Sequence, residues 1–489
     1  MKRNSNRFWA RVVPWVVLAH CFLFIIFWIT NRLFYDSVNT FIIEKTGFVL
    51  DYVSFCLIFS AIIGFAAILM LWLGRNGPKQ GWVVLFSIFG IFFILFFYGS
   101  FFVLFSQDPT QPVRLWRLVR YFGLYVNSLL LAIFVALISI YVVPSLIKKA
   151  QGSKRDKTPF MIGTLVLFLL IWAPAFWILP GNVVTQGAPD KPWIIGHRGA
   201  AALAPENTIA AAELAFQLGA AGVETDIRIS QDGVPFLMHD SNLLRTTDVS
   251  TIFPGREHED ASSFTWAELH RLNAGKWFAE MDPFGTIQGG DVSLKDLNIY
   301  SQVGIPSLQD ELATVKKDGL IFIFDLLPPP ESHPFHDSFF ETCLTEIQKA
   351  GIGNKVWFLI DPDQLGSVRQ KIPDMIPAYG ADFQNPPAVN LLQEDGYQIV
   401  NVGFGLSDKW IQNYRSSGVK VNLYVVDERW MFSDLWLKGV SSMTTNNVEA
   451  MTMLVKPVGS ISLTVYRILW AVIGLAGCIA LVLVFNPRK

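Results

Sequence analysis

Between residues 193 and 444 the chain repeats one pattern, in which a short run of consecutive apolar residues alternates with a helix-like stretch. The runs fall at 193–196, 223–229, 235–238, 320–324, 356–360, 399–402, 419–426 and 440–444. Unbroken apolar runs of this length suit strands buried on both faces, as in parallel sheets whose crossovers are helices. Repeated βα units over roughly 250 residues favour an α/β fold closed into a TIM (β/α)8 barrel over an open sheet. One predicted crossover helix covers 208–218, capped by Asn207 or Thr208 and stopped by Gly219. Gln231-Asp232-Gly233 is a tight-turn signal, so the strands flanking it are predicted to pair without a helix between them. Residues 241–306 fit neither period and read as an insertion.

Composition sets this stretch apart from what surrounds it. Apolar residues make up 52% of the 489 and charged residues 16%, against about a quarter charged in ordinary soluble chains. The deficit is concentrated at 12–30, 48–73, 82–105, 121–147, 159–180 and 461–485. Each run reaches the ~20 residues that cross a ~30 Å hydrocarbon core. The expected layout is an N-terminal membrane domain over 1–180, the barrel over 190–456 and a last span at 461–485, an all-α bundle of six transmembrane helices joined to the barrel. Lys and Arg are richest in the connections on the N-terminal side of the membrane. The positive-inside rule then makes both termini cytoplasmic and the barrel extracellular or luminal, with the lipid bilayer as a partner and the plasma membrane as the expected location. Arg114, Arg117 and Arg120 fall on the outer side, and their spacing suits a helix end meeting lipid headgroups. The spans carry almost no ionisable side chains, which argues against transport. A net charge of −1 gives no basis for nucleic-acid binding. Cys21, Cys56, Cys343 and Cys478 form no Cys-x-x-Cys pattern and no disulfide framework.

The reactive side chains sit where strands should end. Alternation along 223–229 puts Glu224 and Asp226 on one face, with Val223, Thr225 and Ile227 turned to the helices. Two carboxylates pointing into a barrel are costly unless something positive lies between them. A hard divalent cation, Mg²⁺ or Ca²⁺, is the natural occupant, and Asp325 at the end of the next apolar strand is the expected third ligand. Failing that, Asp325 would pair with a barrel arginine such as Arg228. His197 and His239 also follow strands, so several strand ends deliver polar groups to the C-terminal rim, the catalytic face of such barrels. Two histidines beside a metal-bound phosphate can divide the proton work, each role being worth about 10²–10⁴ in rate. Arg198 offers a fork for the non-bridging oxygens. Glu206 is placed to support Arg198 or the substrate, and Asn207 to cap its helix or touch the substrate. Trp277 and Phe278 suit either an apolar wall over the substrate or core packing. His333 and His336 read as loop histidines.

His197-Arg198-Gly199, Pro205-Glu206-Asn207-Thr208, Glu224-Thr225-Asp226, Asp232-Gly233-Val234-Pro235, His239-Asp240 and Arg245-Thr246-Thr247 together resemble the glycerophosphodiester phosphodiesterase family. Leu272-Asn273-Ala274-Gly275, Phe324-Asp325-Leu326 and Thr444-Thr445-Asn446 resemble its multi-pass animal membrane branch, over about 192–453. The resemblance implies a TIM-barrel hydrolase that cuts glycerophosphodiesters to an alcohol and a phosphomonoester. It also implies metal ligands at Glu224 and Asp226 and catalytic histidines at 197 and 239. The chain departs from the family in two places. Asp325-Leu326-Leu327 stands where soluble members commonly have Glu-x-Lys, and Tyr424 stands where many have tryptophan, so Tyr424 is an expected substrate contact. The alternative expectation is a signalling or adhesion scaffold that uses a catalytically weak barrel as a binding module.

Overall fold

The computed structural model describes residues 50–73, 111–121 and 158–485, with Leu18, Cys21, Ile25 and Gly123 described singly. The chain divides into two compact units, 1–113 and 114–489. In the first, the helix Tyr52–Leu73 opens where Asp51 accepts a hydrogen bond from the Ser54 amide at 2.9 Å. The expected site residues all lie in the second.

Eight parallel strands close that unit into the expected barrel. After a short strand β1 (Val183–Val184) that stands outside the barrel, they are β2 (Trp193–His197), β3 (Gly222–Ile229), β5 (Ile321–Leu326), β6 (Val356–Leu359), β7 (Ile376–Ala381), β8 (Ile399–Gly403), β9 (Lys420–Tyr424) and β10 (Ser442–Thr445). Neighbours pair in the order β2-β10-β9-β8-β7-β6-β5-β3, and β2 pairs with β3 to complete the circle. The strand β4 (Pro235–Leu237) is antiparallel to β3, the helix-free hairpin that Gln231-Asp232-Gly233 predicted. Since β4 stands outside the circle, the eighth barrel strand is β7, which is absent from the sequence reading. Its Pro377 and Gly380 break the apolar run that marks the others, yet Pro377 pairs in register with Phe358.

Two layers account for the core. Ile195, Ile323, Trp357, Ala378 and Ile399 fill the barrel interior. Val223, Ile227, Phe322, Val400 and Leu423 face outward into a sheath of crossover helices. Above the inner plug the register aligns His197 with Glu224 and Asp226 with Asp325. Polar residues therefore take over the barrel interior one turn of the pleat above the apolar plug. The insertion builds its own small helices, among them Lys276–Met281 and Leu294–Tyr300. Trp277 and Phe278 are buried there with Leu203, Val292 and Tyr300, so they are core and not a substrate wall.

Among the described residues no helix is long and apolar enough to cross a membrane. This overturns the expected multi-pass localisation with cytoplasmic termini and an outer barrel. Thr158–Trp172 has 15 residues and gives way to a 3-10 turn, Ala173–Phe176, that carries Pro174 at its start. At 1.5 Å per residue it reaches about 22 Å, short of a ~30 Å hydrocarbon core. Leu463–Phe485 packs Tyr466 and Trp470 against Phe168 and Trp172. The Trp172 and Trp470 indoles each donate to the other's carbonyl at 3.0 Å. The expected spans 12–30, 82–105 and 121–147 lie almost wholly outside the described residues.

The arginine series is corrected too. Arg114, Arg117 and Arg120 lie on the helix Gln111–Tyr121 and meet carboxylates of the barrel, not headgroups. Arg117, 4% exposed, reaches Asp408 at 2.9 Å and Asp434 at 3.2 Å, and donates to the Leu406 carbonyl. Arg114 reaches Glu428 at 3.1 Å, and Arg120 reaches Asp408. Leu406 and Asp408 follow β8 and Glu428 follows β9, so this helix is latched to the C-terminal rim of the barrel.

Candidate active site

β2 ends on a chain reversal that requires unusual backbone. Arg198 and Asn207 both have left-handed φ, 52° and 54°, and Gly199 has φ 83°. A side chain at Gly199 would come 2.5 Å from the Ala211 carbonyl carbon, so only glycine lets the strand end and the following helix approach this closely. Non-glycine residues held in this region cost ~1–3 kcal/mol each, and such strain gathers at functional sites. Thr208, not Asn207, is the cap of the helix Ile209–Gln217, accepting from the Ala211 amide.

Asn207 is thereby released for another contact. Its amide donates to Asp226 Oδ2 at 2.8 Å, and its Oδ1 accepts from the Asp226 backbone N–H at 3.2 Å. Arg198 Nε lies 3.0 Å from the same Asp226 oxygen, and Arg198 Nη1 donates to Glu206 Oε1 at 2.8 Å. Glu206 also receives Arg245 through both of its oxygens, at 2.6 and 3.0 Å. Arg245 in turn grips Asp240, which holds His239 Nδ1 at 2.7 Å. One unbroken ionic chain thus links Asp226 to His239. Burial pushes the Glu206 carboxyl upward, and the hydrogen bond from Arg245 with the charges of both arginines overrides it, so the group is held below its usual range. The hydrogen bond from His239 holds Asp240 far below its own, with Arg245 adding to it.

A cavity of about 540 Å³ opens at this rim. His197, Arg198, Glu224, Asp226, His239 and Asp325 line it from the arc of β2, β3, β4 and β5. Asp361, Gln364, Asn401 and Tyr424 line it from the arc of β6, β8 and β9. All the expected catalytic and metal-binding residues therefore share one cavity, and Tyr424 joins them. Glu206 and Asn207, expected as substrate contacts, do not line it; they stand behind it and hold Arg198 and Asp226. Leu327 does not line it either, and its N–H pairs with the Ile227 carbonyl at 2.9 Å. Arg228 reaches the His239 carbonyl at 2.8 Å and not Asp325.

The carboxylates repel one another. Burial and then the charge of Asp226 push Glu224 well above the usual carboxylate range, and the same two causes raise Asp325. Among the described residues Arg198 is the one arginine lining the cavity, and its guanidinium already meets Glu206 and Asp226. In donor chemistry Glu224, Asp226 and Asp325 fit a hard divalent cation. In spacing they fall short, since among the described residues no three His, Cys, Asp or Glu side chains are grouped closely enough to hold one.

The histidines have unlike partners. His197 Nδ1 lies 2.8 Å from the Asn446 amide oxygen, and its Nε2 lies 3.7 Å from Glu224 Oε2. Burial, and then the Arg198 charge, lower the His197 pKa and favour the neutral ring. Asn446 and Asp427, which holds it, were missed in the sequence. Thr444-Thr445-Asn446 was a visible motif, but nothing local marked Asp427.

Residues 197–450 match the glycerophosphoryl diester phosphodiesterase family. The chain is 35% identical over 330 residues to glycerophosphoinositol inositolphosphodiesterase GDPD2 of Mus musculus, covering 66% of this chain and 58% of that one. It is 34% identical over 345 residues to glycerophosphodiester phosphodiesterase domain-containing protein 5 of Gallus gallus, covering 69% and 55%. The chain thus spans little more than half the length of these relatives. A solved phosphodiesterase of Oleispira antarctica, in complex with the product sn-glycerol-3-phosphate, aligns at 21% identity and a TM-score of 0.43 over 53% of this chain and 95% of that one.

Proposed function

This chain belongs to the glycerophosphoryl diester phosphodiesterase family, and we propose that it hydrolyses glycerophosphodiesters to an alcohol and a phosphomonoester. The observation that carries this reading is the convergence of His197, His239, Glu224, Asp226 and Asp325 on one cavity of about 540 Å³, large enough for a phosphodiester with a small headgroup.

The two histidines divide the proton work by their partners. His197 is buried and driven toward its neutral form, so its Nε2 takes the proton from the attacking hydroxyl. His239 is backed by the Asp240 carboxylate at 2.7 Å, an arrangement suited to holding a proton and giving it to the leaving oxygen. Arg198, fixed by Glu206 and Asp226, presents its remaining N–H groups to the non-bridging oxygens, where they resist the rise of negative charge. Tyr424 and the amides of Gln364 and Asn401 bound the space left for the headgroup. Glu224, Asp226 and Asp325 are spaced too widely to hold Mg²⁺ or Ca²⁺ as they stand, and their carboxylates would have to draw together around such a cation, which when bound would neutralise phosphate charge and relieve the repulsion that raises Glu224 and Asp325.

The test is hydrolysis by the purified full chain of glycerophosphoinositol, glycerophosphocholine and glycerophosphoethanolamine, with and without EDTA. The expected result is turnover of at least one substrate, stopped by EDTA and restored by Mg²⁺ or Ca²⁺. His239→Ala should lower kcat by about 10²–10⁴ in a protein that melts normally. Near-normal turnover by that variant would overturn the assignment, and turnover unchanged in excess EDTA would remove the exchangeable metal. A chain that binds these diesters and cuts none would favour the binding-module reading.

A further inference from the structure

We propose that Asp427 and Asn446 are positioning residues that fix the tautomer of His197, and so decide which ring nitrogen offers its lone pair to the cavity. This rests on the reading of His197 as the proton acceptor.

Asp427 lies just beyond β9, and Asn446 follows β10 directly. Asp427 Oδ1 accepts from the Asn446 backbone N–H at 2.8 Å and from Thr445 Oγ1 at 3.0 Å. Its Oδ2 accepts from the Asn446 side-chain amide at 2.8 Å. An ionised carboxylate can only accept, so the amide must turn its NH₂ to Asp427 and its oxygen to His197. An amide oxygen can only accept as well. The proton of a neutral His197 ring must therefore sit on Nδ1, 2.8 Å from Asn446 Oδ1, and Nε2 is left bare. Nε2 is the nitrogen on the Glu224 side of the ring, facing the lined cavity.

The chain from carboxylate to amide to imidazole passes on a direction of donation without placing a net charge beside the ring. At His239 the carboxylate of Asp240 touches the ring itself. The two histidines are thus backed differently, one by a neutral dipole and one by an anion. A merely structural role for Asp427, tying the β9 and β10 loops together, would not depend on which way the Asn446 amide points.

Asp427→Asn separates the two roles. It keeps the size and an acceptor for the Asn446 N–H, but turns an NH₂ toward the Asn446 side chain. That amide should then flip and present its own NH₂ to His197 Nδ1, moving the ring proton to Nε2. The double variant Asp427→Asn/Asn446→Asp reverses the order of groups and again offers Nδ1 an acceptor. The experiment is ring-¹⁵N histidine NMR of the full chain, with the His197 signals among the seven histidines identified by His197→Gln. Kinetics on the same three diesters accompany it.

In the wild type, His197 should show a protonated Nδ1 and a bare Nε2. Asp427→Asn should invert this pattern and lower kcat by about 10²–10⁴ with little change in KM, and the double variant should recover both. A wild-type ring protonated on Nε2, or a pattern unmoved in Asp427→Asn, overturns the proposal. So does a double variant that folds and recovers neither signal nor rate. The wild-type spectrum decides the point even if a variant fails to fold. If the wild type cuts none of the diesters, the functional reading fails, while the ring signals still judge the positioning.

Discussion

Asn207 illustrates how much of the site is built by residues that never reach the cavity. It is 5% exposed, sits in left-handed backbone, and spends both ends of its amide on Asp226. Hydrogen bonds to a charged group are worth about 1.5–3 kcal/mol each, and alanine tolerates positive φ less well than asparagine. Asn207→Ala should therefore lower stability by about 2–4 kcal/mol, read as a fall in the urea midpoint. Asn207→Gly removes the same bonds with no backbone penalty, so it should be the milder of the two in stability. Both should reduce kcat, because Asp226 is then held by Arg198 alone. Equal midpoints for the two variants would show that backbone conformation contributes nothing here. Sequence pointed to His197, Arg198, Glu224, Asp226, His239 and Asp325, which the fold does bring to one cavity, because such groups stand out where apolar strands end. It left Glu206 between supporting Arg198 and touching the substrate, and the structure bears out the first. It left Asn207 between helix cap and substrate contact, and the side chain goes instead to Asp226, because a partner is set by the fold. Asp226 lies 19 positions from Asn207, and Arg245, the second partner of Glu206, lies 39 from it.

Among the elements, strands were legible wherever both faces are apolar. The one that escaped, β7, carries proline and glycine in a barrel whose closure supplies the pairing that a lone strand would lack. The hairpin of β3 and β4 was legible from its turn alone. One helix was legible by its cap, at Thr208; the helix Leu308–Asp318 was not read from sequence, although Ser307 and Asp310 form a reciprocal capping box at its start. That helix hides something its pattern did not show. Glu311 is completely buried and neither of its oxygens has a hydrogen-bond partner. Burial, with a smaller contribution from Asp310, pushes its carboxyl up to about 8. In the unfolded chain the group returns to the ordinary glutamate value near 4.3. Between these values the folded protein keeps a proton that the unfolded chain has lost. Stability therefore falls as pH rises from about 4.5 to about 8 and levels off above, by as much as about 5 kcal/mol. Glu311→Gln cannot ionise and should flatten that slope. Its melting temperature should exceed the wild type's at pH 8.5 by more than at pH 5. A variant whose difference from wild type is the same at both pH values would show that Glu311 does not titrate in this window.

At the scale of the whole molecule, the helix Gln111–Tyr121 ties the barrel unit to residues well before the first barrel strand. That unit takes in Arg114, and Arg114, Arg117 and Arg120 each reach a carboxylate on it. Arg117 is the centre of that contact. It shares Asp408 and Asp434 with Lys438, and Asp434 is 1% exposed. Burial lowers the Lys438 pKa against the pull of both carboxylates, so this cation is the less secure of the two at high pH. Removing one partner of a buried pair costs about 3–5 kcal/mol, because a charge is stranded. Here Lys438 remains on Asp434, so Arg117→Ala should cost about 3 kcal/mol, the low end of that range. Arg120 is half exposed, and the loss at Arg120→Ala should stay under about 1 kcal/mol. The two variants remove the same charge from the same helix, so the difference between them reports burial together with the further contacts of Arg117 to Asp434 and Leu406. Hydrogen exchange should report where the cost falls. In Arg117→Ala the amides of residues 404–408 should exchange faster, since Arg117 also holds the Leu406 carbonyl, while those of β2 and β3 stay protected. Loss of protection spread evenly over all eight strands would mean that the helix stabilises the barrel as a whole. Loss confined to the loop after β8 would make it a brace for the rim on which the cavity opens.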